Sequence, residues 1–173
     1  DYADFFRNQR NLCNLWLIFL LPDYYIYSTQ VRRSLFNRVY LTHSTAASGQ
    51  AMRAQITFTS EGHTLAGTLH KPRGDGPFPA IVVLHSASAG ERDHPLYLHL
   101  AQAMNEIGVA VYIYDRRGED IPANERVHPG YMALGRDALA AVRMLKARED
   151  VDGTRIGLWG VSQGGWVAPA AFV

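Results

Sequence analysis

Gly160-Val161-Ser162-Gln163-Gly164 follows directly on Arg155-Ile156-Gly157-Leu158-Trp159, so a G-x-S-x-G turn closes a short apolar run that reads as a buried strand. A serine hydroxyl is a poor nucleophile at neutral pH until a neighbouring base takes its proton. The turn addresses the geometric half of that problem. A tight strand-to-helix bend lifts the side chain clear of a sheet, and it crowds the backbone so much that the positions two before and two after the serine favour glycine. Gly160 and Gly164 meet that demand, which makes Ser162 the candidate nucleophile. A helix starting near Gln163 would aim its N-terminal amides and positive dipole end at developing negative charge. The Gln163 backbone N–H is therefore one candidate oxyanion donor, and the second is expected in the loop His85-Ser86-Ala87-Ser88-Ala89-Gly90. A serine in a tight turn can also be merely polar. Here the preceding strand, the following helix and the earlier small-residue loop occur in the order that the chemistry requires.

The elements that must position these residues alternate in type. Ile56 to Thr59 and Leu65 to Leu69, with a turn at Glu61-Gly62, predict a β-hairpin. The Gly- and Pro-rich run from Lys71 to Pro77 is a loop. Ala80-Ile81-Val82-Val83-Leu84 is continuously apolar and β-branched, as expected of a strand covered on both faces. Leu96, Leu100, Met104 and Ile107 recur at helical spacing between Pro95 and Gly108. Val109 to Tyr114 reads as the next buried strand, and Leu134, Ala138, Val142 and Leu145 as a second amphipathic helix. The alternation predicts an α/β fold: an open, mainly parallel sheet with helices on its faces.

Composition narrows the function classes. Seventeen basic against 16 acidic residues leave a net charge of +1, which gives no electrostatic case for nucleic acid or an anionic membrane. A single cysteine, Cys13, excludes an internal disulfide, and no His/Cys spacing suggests a metal site. Residues 1–50 hold one glycine of 15 and differ sharply from residues 51–173, so the chain divides into a poorly defined leader or extension and a globular domain. Leu12 to Leu21 lies behind Arg7 and Arg10 in a signal-like layout over residues 7–22, too short to span a bilayer, and Tyr27 to Leu41 could form a helix. Localisation stays open between cytoplasm and export, as does oligomeric state. His43, His63, His70, His94, His99 and His128 read as surface or packing residues, and Asp137 and Arg143 as a solvated or ion-paired helix face; the Asp115 to Gly118 run, with Arg116 and Arg117, reads equally as a buried polar contact under the loops that flank Ser162 or as simply exposed.

Residues 52–173 resemble the α/β-hydrolase superfamily, in particular its serine-aminopeptidase-like and dienelactone-hydrolase-like branches. The likeness is carried by Gly62 to Leu69, Pro77 to His85, Tyr114-Asp115-Arg116-Arg117-Gly118 and Asp152 to Trp166. It implies first strands that are antiparallel, Ser162 as nucleophile, and the backbone amides of Ala87 and Gln163 as the oxyanion hole. It further implies His85 as a support of the loop, Asp115 as a structural loop residue, and hydrolysis of a small carboxylic ester, thioester, amide or short peptide through an acyl-enzyme, with no cofactor and no metal. The chain has Ser86 where relatives usually have glycine, and Glu119-Asp120-Ile121-Pro122 where they tend to have a second glycine and a serine. In such relatives the acid and the base follow the serine, and residues 165–173 do not contain them. The expectation is an α/β-hydrolase-type sheet truncated after the elbow, hydrolytically dead or nearly so as 173 residues, with the elbow strand left as an open edge. The alternative is a non-catalytic hydrolase-like binding domain or remnant.

Overall fold

The computed structural model describes residues 16–20, 26–28, 52–122 and 124–172. Its strands are β1 (Trp16–Leu20), β2 (Ile26–Ser28), β3 (Met52–Ser60), β4 (His63–Lys71), β5 (Phe78–Leu84), β6 (Ala110–Tyr114) and β7 (Val151–Gly160). The helices are α1 (Pro95–Glu106), α2 (Tyr131–Lys146) and α3 (Gln163–Ala170). One sheet runs in the order β2-β1-β7-β5-β6-β4-β3. Its centre, β7-β5-β6, is parallel, and the flanking pairs are antiparallel.

The hairpin expected near Glu61-Gly62 is β3–β4, registered from Met52↔Lys71 to Ser60↔His63. Both turn residues have positive φ (47° and 80°), as a two-residue turn matched to strand twist requires. Pro95 opens α1, and Gly108, at φ 83°, turns the chain out of the helix toward β6.

The β-branched run of β5 is apolar throughout because both of its faces are covered. Ala80, Val82 and Leu84 pack with Leu134, Ala138, Leu145 and Val167 of α2 and α3. Ile81 and Val83, one residue out of phase, pack with Tyr97 and Ala101 of α1 and with Trp159 of β7. From β5 the chain crosses through α1 to β6 on one side, then returns through α2 to β7 on the other. The strand order reverses at β5, and a crevice opens at such a reversal beyond the C-terminal strand ends.

The edge of β7 expected to stand open carries β1, paired antiparallel from Trp16↔Gly160 to Ile18↔Leu158. Part of the signal-like stretch therefore lies in the sheet, and β2 extends it. Residues 7–15, including Cys13, lie outside the described residues, as does His43; of the helix expected over Tyr27 to Leu41, Tyr27 and Ser28 belong instead to β2 and the rest lies outside the described residues. Among the described residues, no helix is long and apolar enough to cross a membrane.

Candidate functional site at the C-terminal strand ends

The register of β5 against β7 sets Leu84 beside Gly160. The two loops in question, 85–90 and 160–165, therefore leave adjacent strands side by side. The closeness is enforced by glycine. A Cβ at Gly164 would lie 2.2 Å from the Leu84 carbonyl oxygen, and one at Gly160 would lie 2.5 Å from the Gly164 carbonyl carbon. Both contacts are with backbone, so a side chain at Gly164 would push α3 off the end of β5, and one at Gly160 would push α3 off the end of β7.

Between them, Ser162 sits at φ 54°, ψ −116°, outside the left-handed helical well and a conformation that costs a non-glycine residue about 1–3 kcal/mol. The strain holds its side chain out of the sheet, and the residue is exposed. Its hydroxyl does not cap α3, although Ser162 occupies the cap position. The first turn is closed by Gly164 N–H to the Val161 carbonyl (2.9 Å) and Gly165 N–H to the Ser162 carbonyl (3.0 Å). Neither bond uses the Gln163 N–H.

On the opposing loop, Ala87 is exposed and His85 is buried. His85 Nε2 lies 2.6 Å from the Tyr114 carbonyl oxygen, and its ring stands edge-on to Tyr114 and Tyr97, with centroids 4.9 and 5.5 Å away. Burial drives its pKa down to about 3, and the nearby Arg116 guanidinium adds to the effect. The ring is thus neutral and donates Nε2–H to the carbonyl.

Three further side chains belong to this site: Tyr97 and His128, which the sequence does not place there, and Arg116, which takes the buried polar contact under the loops rather than the exposed alternative. Tyr97, fully buried on α1, donates to the Ala89 carbonyl (2.7 Å) and accepts from the Ser86 N–H (2.8 Å), holding the loop from beneath. Arg116 Nη1 reaches the carbonyls of Ser86 (3.0 Å) and Ala87 (3.2 Å) and the Gln163 side-chain Oε1 (3.0 Å), while its Nη2 pairs with Glu119. His128, expected on the surface or in packing, places Nε2 2.6 Å from the Gln163 amide nitrogen. Arg116 can only donate, so Gln163 turns its oxygen to Arg116 and its amide to His128. A neutral imidazole accepts at one nitrogen only. The Gly130 N–H contact at His128 Nδ1 (3.0 Å) and the Gln163 contact at Nε2 are therefore alternatives.

Of the two alternatives for the α2 face, Asp137 takes the ion-paired one, fully buried and held by two nitrogens of Arg117, and Arg143 is exposed. Arg117 arrives from the loop after β6 and covers the carboxylate, and its Nη2 also reaches Glu61 (3.3 Å). Asp115 accepts from the Arg92 N–H (2.9 Å) and tethers the 85–92 loop to the end of β6. Among the described residues, no group of three or more potential metal ligands comes together.

No family model matches the chain. It is 31% identical over 114 residues to esterase EstD of Thermotoga maritima, covering 61% of this chain and 26% of that protein. Among solved structures, the α/β hydrolase GrgF of a Penicillium species superimposes with a TM-score of 0.59 at 28% identity, over 69% of this chain and 41% of that one. The dienelactone hydrolase of Anabaena variabilis gives the same TM-score, 0.59, at 19% identity over 69% and 56% of the two chains, and shares the fold. The chain spans 20% to 49% of the length of the curated relatives it matches.

Proposed function

The chain belongs to the α/β-hydrolase superfamily, and from that premise we propose that it serves a serine hydrolase that cleaves a small carboxylic ester, with Ser162 as nucleophile and the Ala87 and Gln163 N–H groups as oxyanion donors. The observation that carries this reading is the exposed, positive-φ serine between two glycines that pack backbone on backbone. Such strain persists only where the surrounding structure enforces it, and it clusters at sites where it serves mechanism.

In this reading Ser162 Oγ attacks the ester carbonyl as a base takes its proton, and the carbonyl oxygen, now negative, accepts from the two amides. Collapse expels the alcohol, which takes up the proton, and leaves an acyl-serine. Water then repeats the sequence and frees the acid. Thioesters follow the same path with a thiol as leaving group.

No histidine among the described residues hydrogen-bonds the Ser162 hydroxyl. The 173 residues alone are accordingly proposed to hold the nucleophile and oxyanion half of the site and to turn over slowly, since oxyanion donors without an intact triad sustain only a residual rate.

The test is a fluorophosphonate probe with p-nitrophenyl acetate, applied to the protein as encoded to its stop codon. The expected result is stoichiometric labelling of Ser162, with hydrolysis and labelling both abolished by Ser162→Ala. Hydrolysis that survives Ser162→Ala, or a folded protein that never labels, would overturn the assignment and favour a binding domain.

A further inference from the structure

We propose that Arg116 is the positioning residue of the oxyanion hole, holding its two N–H groups in register through a single guanidinium nitrogen. The inference rests on the hydrolase reading above, but it is carried by its own geometry. Nη1 shares its two N–H bonds among three acceptors, the carbonyls of Ser86 and Ala87 on one loop and the Gln163 side chain on the other, all within 3.2 Å.

The Ser86 carbonyl and the Ala87 N–H are two ends of one planar trans peptide and point to opposite sides of it. Pinning the oxygen therefore aims the N–H away from Arg116. The Ala87 carbonyl, held by the same nitrogen, fixes the next peptide plane. Tyr97 holds the same loop through the Ser86 N–H and the Ala89 carbonyl, so neither clamp takes the Ala87 N–H. On the elbow side, the Gln163 side chain is buried against Arg116, which fixes the residue whose backbone N–H is the second donor.

The cation is itself held. Its Nη2 pairs with Glu119, whose side chain is 7% exposed and is held in turn by Arg126. Charge-assisted bonds are the stronger class, and a planar guanidinium loses less freedom in making several of them than lysine does.

The test compares p-nitrophenyl acetate with its thionoester analogue, whose sulfur fits an oxyanion hole poorly, and follows the backbone amides of Ala87 and Gln163 by 15N relaxation in the same protein. Arg116→Ala is expected to lower kcat on the oxygen ester about 100-fold, the size of effect seen for one lost oxyanion donor, with KM within threefold. The thionoester rate should change little, so the ester-to-thionoester ratio collapses. The Ala87 order parameter should fall from about 0.85 toward 0.6. Arg116→Lys keeps the charge but not the fork and should recover part of the ratio. If Arg116→Ala does not fold, Glu119→Gln loosens the same guanidinium and must shift ratio and order parameter in the same direction.

Equal losses on both substrates, or an unchanged Ala87 order parameter, would overturn the proposal. Ester hydrolysis that persists in Ser162→Ala marks failure of the hydrolase reading instead. The relaxation data then decide the Arg116 linkage alone: a fall sustains it and no change overturns it.

Discussion

At the N-terminal ends of the parallel strands, Lys71 and Arg148 converge on one carboxylate, Asp150, and the charges satisfy one another. At the C-terminal ends, Arg116 pairs with Glu119 through one nitrogen and turns the other to backbone carbonyls and a glutamine side chain. The difference lies in the partners. An ion pair closed on itself contributes to the fold and fixes little else, whereas a cation that grips carbonyls fixes peptide planes and hence the direction of the N–H groups they carry. The contrast recurs between chain neighbours. Arg117, one residue beyond Arg116, reaches away from the site to the buried Asp137 and belongs to the stabilising class.

The largest effect expected from that division is on stability. Asp137→Ala leaves the Arg117 guanidinium, 11% exposed, without its buried partner, and removing one member of a buried pair costs about 3–5 kcal/mol. A urea titration should show a midpoint lowered accordingly with an unchanged slope. A loss under 1 kcal/mol would place Asp137 with the exposed pairs and erase the distinction between the two arginines.

Each end of the sheet also buries a histidine, and acid should expose both. Burial lowers His70 to about 4 and His85 to about 3, against an ordinary value of 6.5. Because both folded values lie below the unfolded one, the unfolded state binds more protons as pH falls. The stability from keeping the rings neutral is complete above about pH 6.5 and is lost through pH 4 for His70 and pH 3 for His85, at about 1.4 kcal/mol per pH unit for each ring. At pH 5 the sum is about 4 kcal/mol. His70 Nε2 has no hydrogen-bond partner, whereas His85 Nε2 is held by Tyr114. His70→Leu should therefore halve the pH slope at no cost in stability at pH 7, leaving Ser162 labelling intact. An unaltered slope in that variant would remove His70 from the titration.

What the sequence made legible was local. Gly62 and Gly108 announce a positive φ, Pro95 a helix start and the glycines flanking Ser162 a close backbone approach, and each stands where the turn or helix boundary occurs. The run Ile81-Val82-Val83 announced a strand covered on both sides. The clamps were legible only in part: the Asp115 to Gly118 run left burial under the loops and exposure level, because which way each side chain turns is decided only after the chain has folded. Arg116 and Arg117 are identical in type and adjacent, and only the packing around β6 sends one to the site and the other to Asp137. Asp137 on a polar-patterned helix reads equally as solvated or ion-paired until a cation 20 residues away covers it. Tyr97 stands beside Leu96 in the helical repeat and gives no sign of reaching the Ser86 N–H, 11 residues back. The apolar stretch that forms β1 was ambiguous for another reason: a short apolar run has no period long enough to separate strand from signal-like segment.

Tyr97→Phe probes whether the two classes can be joined in one residue. The hydroxyl is buried and serves two backbone groups, so its removal orphans the Ser86 N–H and the Ala89 carbonyl and costs about 1–3 kcal/mol. The site end should also register it as a lower kcat on the oxygen ester with KM little changed. Lost stability with unaltered kcat would show that Arg116 alone suffices to hold the loop.

The smallest effect belongs to the self-contained cluster. The Arg148 hydrogen bonds, followed by the one from Lys71, hold Asp150 down at about 2, below the ordinary 3.8. The depressed value means that the carboxylate stabilises the fold above about pH 3.8 and that this contribution is lost as pH falls through 2. Its side chain is 21% exposed, so solvent and salt screen the pair, and Asp150→Asn should cost about 1 kcal/mol at pH 7 in low salt. The difference from wild type should shrink in 1 M salt and vanish near pH 2, while fluorophosphonate labelling of Ser162 keeps its rate. A slowed labelling rate would mean that the ends of the sheet are coupled: disturbing the start of β7 at Val151 would then be felt at Gly160, where the same strand enters the elbow.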